Sequence, residues 1–244
     1  MKIEALAYEH GGVTLVGELS RPDAVGESRP GILVVHEGMG LSEHAKRRAR
    51  ELAEQGFVAL AADMYGGGNR AKDMAEARPR MLALRADADL LRGRVGAGLA
   101  ALRAQPGVDA RRLGAIGFCF GGLCVLELAR SGADVAGVVS FHGILATERA
   151  AKAGEVKAKV LACHGAADPF VSGEALTTFQ SELTAAGVDW HVLTLGGAGH
   201  GFTNPGASSL GIPGVAYDAN AERRSFAAMR DFFAALFPPL FPPR

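Results

Sequence analysis

The 244-residue chain lacks a charge excess of either sign, with 26 lysines and arginines against 26 aspartates and glutamates. That balance removes the broad electrostatic pull that draws basic proteins to nucleic acid or acidic lipid. Its longest basic clusters, Lys46-Arg47-Arg48 and Arg111-Arg112, are short and read as solvated faces. Cysteine is scarce: three residues, in no paired spacing, argue against a disulfide framework and for a reducing compartment. No uncharged apolar run approaches the roughly 20 residues that span a bilayer. No basic stretch followed by an apolar run opens the chain as a signal peptide would. The expectation is a cytoplasmic protein that engages neither membrane nor nucleic acid. A Walker phosphate loop is missing, and His36-Glu37 has no second His to complete H-E-x-x-H. Neither a metal nor a cofactor is expected.

What the chain does have is apolar residues, 48% of the total, arranged as alternating strands and helices. Residues 2–8 and 13–19 read as a hairpin turning at Gly11-Gly12. Ile32–Val35 is a short apolar run suited to a buried strand, and Phe57–Ala62 is a second. Ser42 is placed to cap a helix ending at Gly56. The Ala/Leu/Arg-rich stretch 70–104 reads as a helix interrupted near Pro79. Further strands are expected at about 112–117, 135–141, 158–163 and 189–195, with helices at about 121–131, 173–186 and 217–237. Such alternation predicts a mainly parallel sheet covered on both faces. With no low-complexity linker, residues 1–244 are expected to form one domain. The Pro-rich end from Phe237 to Arg244 is expected to pack on the body, since two Phe and a Leu need cover.

The most informative segment is Gly117-Phe118-Cys119-Phe120-Gly121-Gly122. It lies between an apolar strand and a helical run, which makes it a G-x-nucleophile-x-G turn with Cys in place of Ser. Such a sharp turn leaves no room for side chains two positions either side of the nucleophile. It lifts the sulfur to a helix N-terminus, where the dipole favours a thiolate and the Phe120 N–H can face a developing oxyanion. Cys124 and Cys163 read as small core residues.

A nucleophile on this turn needs an acid and then a His further along the chain. Asp168 follows the strand Val160–Cys163, and His200, flanked by glycines, follows Val192–Leu195. Both fall in loops at the C-terminal strand ends, the edge where open α/β sheets bind ligands. His36, His142 and His164 lie near the same edge and read as hydrogen-bonded structural residues.

These motifs resemble the dienelactone hydrolase family. The resemblance rests on His36-Glu37-Gly38-Met39-Gly40-Leu41, the Cys-bearing turn, Cys163-His164-Gly165 ahead of Asp168-Pro169, and Gly199-His200-Gly201-Phe202, with Asp63-Met64-Tyr65-Gly66 also similar. It implies an α/β-hydrolase fold and an ester- or lactone-cleaving triad of Cys119, His200 and Asp168. It further implies a Glu37 carboxylate close to the thiol, and an oxyanion hole formed by the Gly38 N–H with that of Phe120. A carboxylate beside a thiolate disfavours it unless the pair shares a proton, so Glu37 is expected to hold the resting thiol neutral. The chain departs from the family at Asn204, where members acting on dienelactones usually carry a carboxylate-binding arginine four residues after the His. Arg78 and Arg80 read as a solvated helix face. The substrate expected is a small ester or lactone, and the assembly a monomer or small homo-oligomer.

Two other classes compete. Gly66-Gly67-Gly68-Asn69-Arg70-Ala71 matches the dinucleotide pattern G-x-G-x-x-A, but it is offset from the preceding strand and no strand-end acid follows about 20 residues later. A non-catalytic binding protein on a hydrolase scaffold is the second, because fold alone never fixes function.

Overall fold

The computed structural model describes residues 1–23 and 28–238. The chain opens with a hairpin of β1 (Lys2–His10) and β2 (Val13–Arg21), paired antiparallel over their full length. Its turn residues Gly11 and Gly12 have φ of 59° and 73°, the positive values that a two-residue turn needs to match strand twist. Six further strands follow: β3 (Arg29–Val35), β4 (Val58–Ala62), β5 (Val108–Phe118), β6 (Gly137–Phe141), β7 (Lys159–Gly165) and β8 (Trp190–Leu195). All eight join one sheet in the order β1-β2-β4-β3-β5-β6-β7-β8, parallel from β4 to β8. Burial follows this arrangement. β4 and β6 are buried at every residue, as strands covered on both faces must be, whereas β1 alternates toward solvent.

Helices cover both faces. α1 (Glu43–Glu54) and α6 (Ala219–Leu236) bury Ala45, Ala49, Leu52, Met229 and Phe233 against one side of the sheet. On the other side, α3 (Ala88–Arg103), α4 (Phe120–Arg130) and α5 (Gly173–Ala185) pack Leu91, Val95, Leu123, Val125 and Phe179. α2 (Met74–Ala86) precedes α3. This is the α/β-hydrolase architecture. Among the described residues no helix is long and apolar enough to cross a membrane.

The interruption expected near Pro79 lies instead at Asp87. Pro79 sits inside α2, where its fixed φ suits a helix, and it and Ala75, the residue four before it, are exposed, so water can serve the carbonyl the ring leaves without a donor. Asp87 is extended (φ −125°, ψ 94°) and its carboxylate accepts from the Leu90 N–H at 2.9 Å, ending one helix and capping the next. β5 also begins at Val108, earlier than expected. Of the proline-rich end, Phe237 is fully buried against Phe57 and Phe233. The rest of that expectation, including Leu240 and Phe241, lies outside the described residues, as does Gly26.

Candidate active site

The site is assembled at the C-terminal edge of the sheet. β5 leads into Cys119, whose backbone (φ 55°, ψ −114°) is one of two non-glycine positions with positive φ among the described residues, the other being His142. The flanking glycines are obligatory. A Cβ on Gly117 would lie 2.0 Å from the Gly121 carbonyl oxygen, and one on Gly121 would lie 2.2 Å from that of Val35. The turn delivers a half-buried sulfur to the start of α4, while Cys124 and Cys163 are buried and their thiols are pushed up by burial. The start of α4 differs from those of the other α-helices. Ser42, Asp73, Asp87, Ser172 and Asp218 cap theirs with side-chain oxygens, whereas no side-chain cap closes α4. Its first N–H, from Phe120, has no acceptor within the helix.

Asp168 lies beyond β7 and is buried. One carboxylate oxygen accepts from the Phe170 N–H at 2.9 Å, and the other lies 2.8 Å from Nδ1 of His200. Because the carboxylate accepts the Nδ1 proton, Nε2 is left for Cys119, with which His200 also hydrogen-bonds. The His200 backbone is held from both sides, its N–H donating to the Gly214 carbonyl and its own carbonyl accepting from Ala216. Burial opposes charging of this imidazole. A thiolate on Cys119 together with the Asp168 carboxylate outweighs burial and lifts the His200 pKa to about 10. Phe170, half exposed, meets the His200 ring edge-on at 4.9 Å. The structure thus brings Cys119, His200 and Asp168 together.

Glu37 is directed elsewhere. Both of its carboxylate oxygens accept from Nδ2 of Asn204, at 2.9 and 3.1 Å, and one lies 3.5 Å from Nδ1 of His44. Burial would raise its pKa, but the His44 and Asn204 contacts lower it, so the group is a buried anion. The position of the family arginine therefore carries a neutral partner for Glu37. Gly38 follows, its carbonyl accepting from the Tyr65 hydroxyl at 2.8 Å, with Met81 packed over its Cα. Tyr65 also stacks on Phe120.

Of the other histidines near this edge, His36 and His142 have structural partners, whereas His164, expected to be hydrogen-bonded, is buried with its Nδ1 unpartnered. His36 lies 2.6 Å through Nδ1 from the Glu37 carbonyl, to which it donates, and accepts from the Met64 N–H through Nε2. His142 receives the Cys119 N–H. The Gly66–Gly68 turn holds no cradle of free N–H groups, since Asp63 takes those of Gly66 and Gly68 together with those of Val16 and Tyr65. That leaves the dinucleotide match without its chemistry. The sequence reading missed Tyr65, Phe170, Thr203, His44 and the connecting role of His142. Only Tyr65 had a signal, in the Asp63–Gly66 similarity.

The sequence profile of the dienelactone hydrolase family matches residues 15–237. A crystal structure described as a dienelactone hydrolase-like promiscuous phosphotriesterase from metagenomic libraries is 46% identical, with a TM-score of 0.94 over 97% of this chain and 98% of that one. An uncharacterized protein of Caenorhabditis elegans is 39% identical over 149 residues, 60% of this chain and 94% of its own length. A Yersinia pestis protein provisionally named a carboxymethylenebutenolidase is 26% identical over 231 residues, 91% of this chain and 84% of its own.

Proposed function

Since the chain belongs to the dienelactone hydrolase family and is therefore a hydrolase, we propose that it cleaves a carboxylic ester or lactone through a thioacyl-enzyme on Cys119. The observation that carries this reading is the continuous line from Cys119 through His200 to Asp168, with the imidazole pKa lifted to about 10. At neutral pH that value keeps on His200 the proton that the leaving group needs.

The thiolate attacks the acyl carbon, and the carbonyl oxygen becomes an oxyanion facing the N–H groups of Phe120 and Gly38. Removing one such donor typically costs roughly 10²–10³ in rate. Collapse breaks the acyl–oxygen bond, and the leaving alkoxide takes the His200 proton. Water then loses a proton to His200 and attacks the thioester, and the returning imidazolium pairs again with the free thiolate. Asp168 fixes the tautomer throughout.

The apolar edges of Phe170 and Met81, with Glu37 already anionic and matched to Asn204, favour an uncharged ester over a carboxylate-bearing dienelactone. A second reading rests on the metagenomic relative, named a promiscuous phosphotriesterase: an aryl phosphotriester presents the same nucleophile with a phosphoryl oxygen.

The test is a panel of aryl esters, lactones, thioesters and an aryl phosphotriester, run with and without iodoacetamide. Turnover of neutral esters abolished by alkylation is expected. Ligand binding without turnover of any member would favour a non-catalytic scaffold.

A further inference from the structure

His142 follows β6 and is fully buried, with φ 40°, so it shares with Cys119 a backbone conformation that side-chain-bearing residues rarely adopt. The two are joined. The Cys119 N–H donates both to the Phe141 carbonyl at 3.0 Å and to Nδ1 of His142 at 3.1 Å. Because Nδ1 accepts, the ring proton sits on Nε2, which lies 2.8 Å from Oγ1 of Thr203 and donates to it. Thr203 is three residues past His200 and fully buried. The His142 ring also meets His200 edge-on, with centroids 5.2 Å apart, and Phe202 at 5.0 Å. One imidazole therefore touches the nucleophile's amide, the ring of the base and the loop carrying that base.

We infer that His142 is a positioning residue that holds the nucleophile turn and the base loop in register through a fixed, neutral Nε2–H tautomer. The inference rests on Cys119 being the nucleophile. A strained turn relaxes unless its surroundings over-determine it, and the second acceptor on the Cys119 N–H supplies that constraint. The next N–H along the chain belongs to Phe120, so a few degrees of relaxation at Cys119 re-aims an oxyanion donor. The ring must stay uncharged, because an imidazolium has no lone pair to accept the amide. Burial favours the neutral form, and so do the charges of His200 and His44, the titratable groups that act on it.

The test compares His142→Leu, His142→Asn and Cys119→Ala on an aryl ester, with folding checked by circular dichroism. Leucine removes the acceptor. Asparagine returns a carbonyl oxygen near the place of Nδ1 and tolerates positive φ. His142→Leu should lower kcat about 10- to 100-fold with KM little changed, less than the roughly 10²–10³ of deleting an oxyanion donor outright, and His142→Asn should recover most of the loss. Nitrogen-15 NMR of histidine-labelled wild-type protein should show one histidine with a bare Nδ1 and a protonated Nε2 across the acid-to-neutral range, absent in whichever variant folds. An active Cys119→Ala would remove the nucleophile reading and this inference together. An inactive Cys119→Ala beside an unaltered kcat in His142→Leu would overturn the inference alone, as would an asparagine no better than leucine. If His142→Leu fails to fold, the wild-type spectrum decides, since a resonance that titrates or carries its proton on Nδ1 contradicts the assignment.

Discussion

Replacing Glu127 by glutamine tests how the helix behind the nucleophile is held. The Arg130 side chain is 1% exposed and that of Glu127 is 5% exposed. Arg130 binds Glu182 through two parallel bonds of 2.8 Å, Glu127 at 3.0 Å and the Leu145 carbonyl at 2.9 Å. The second oxygen of Glu127 takes Arg92 at 2.9 Å. Two arginines and two glutamates thus tie α3, α4 and α5 at zero net charge. Glutamine keeps the shape but leaves two cations facing one anion, and breaking such a buried arrangement costs about 3–5 kcal/mol. For a chain of this size each kcal/mol moves Tm by about 2–4 °C, so a fall of about 6–20 °C is expected. Urea denaturation at neutral pH should show the loss as a lower midpoint with unchanged slope. Because Glu127 lies about two turns from Cys119 along α4, kcat per folded molecule should hold. A destabilisation below about 1 kcal/mol, or a large loss of kcat with stability intact, would refute this reasoning.

Further outcomes follow from the site. His200→Ala should cost roughly 10²–10⁴ in rate, and adding Asp168→Asn should cost little more, because coupled groups are non-additive; steady-state kinetics on the double variant check this. The His200 pKa is raised in the folded state, so the stability it confers is complete below the ordinary imidazole value near 6.5 and is lost as pH rises toward about 10; the gap between wild type and His200→Ala in urea midpoint should close over that window. Glu37→Gln removes an anion beside the Gly38 segment and should speed iodoacetamide alkylation of the free thiol at neutral pH. An unchanged alkylation profile would confine Glu37 to its contacts with Asn204 and His44.

The parts of this architecture that repeat locally were legible in the sequence. Apolar runs such as Ile32–Val35 announce strands buried on both faces, and Gly117 and Gly121 announce a turn too tight for side chains. The order of Cys119, Asp168 and His200 follows from where strand ends fall. What was not legible depends on pairings across distant chain segments. Arg48 reaches the Thr203 carbonyl and Glu222 from α1, and nothing in Lys46-Arg47-Arg48 separates that buried arginine from its more exposed neighbour Arg47. Glu127 and Arg130 look like an exposed helical pair until α4 proves buried along all its length. Pro79 and Asp87 were misjudged for the opposite reason: a strong local rule about proline overrode the weaker capping signal of aspartate. His142 resembled its neighbours because its part is set by one backbone N–H, which carries no sequence signature.

The most direct test of the central claim is mass spectrometry of enzyme quenched during turnover of an aryl ester. The account predicts an acyl adduct on the peptide bearing Cys119, absent after Cys119→Ala, and accumulating when His200 is removed if deacylation slows more than acylation. An adduct on Cys124 or Cys163 with Cys119 unmodified and dispensable, or steady turnover by Cys119→Ala, would contradict it.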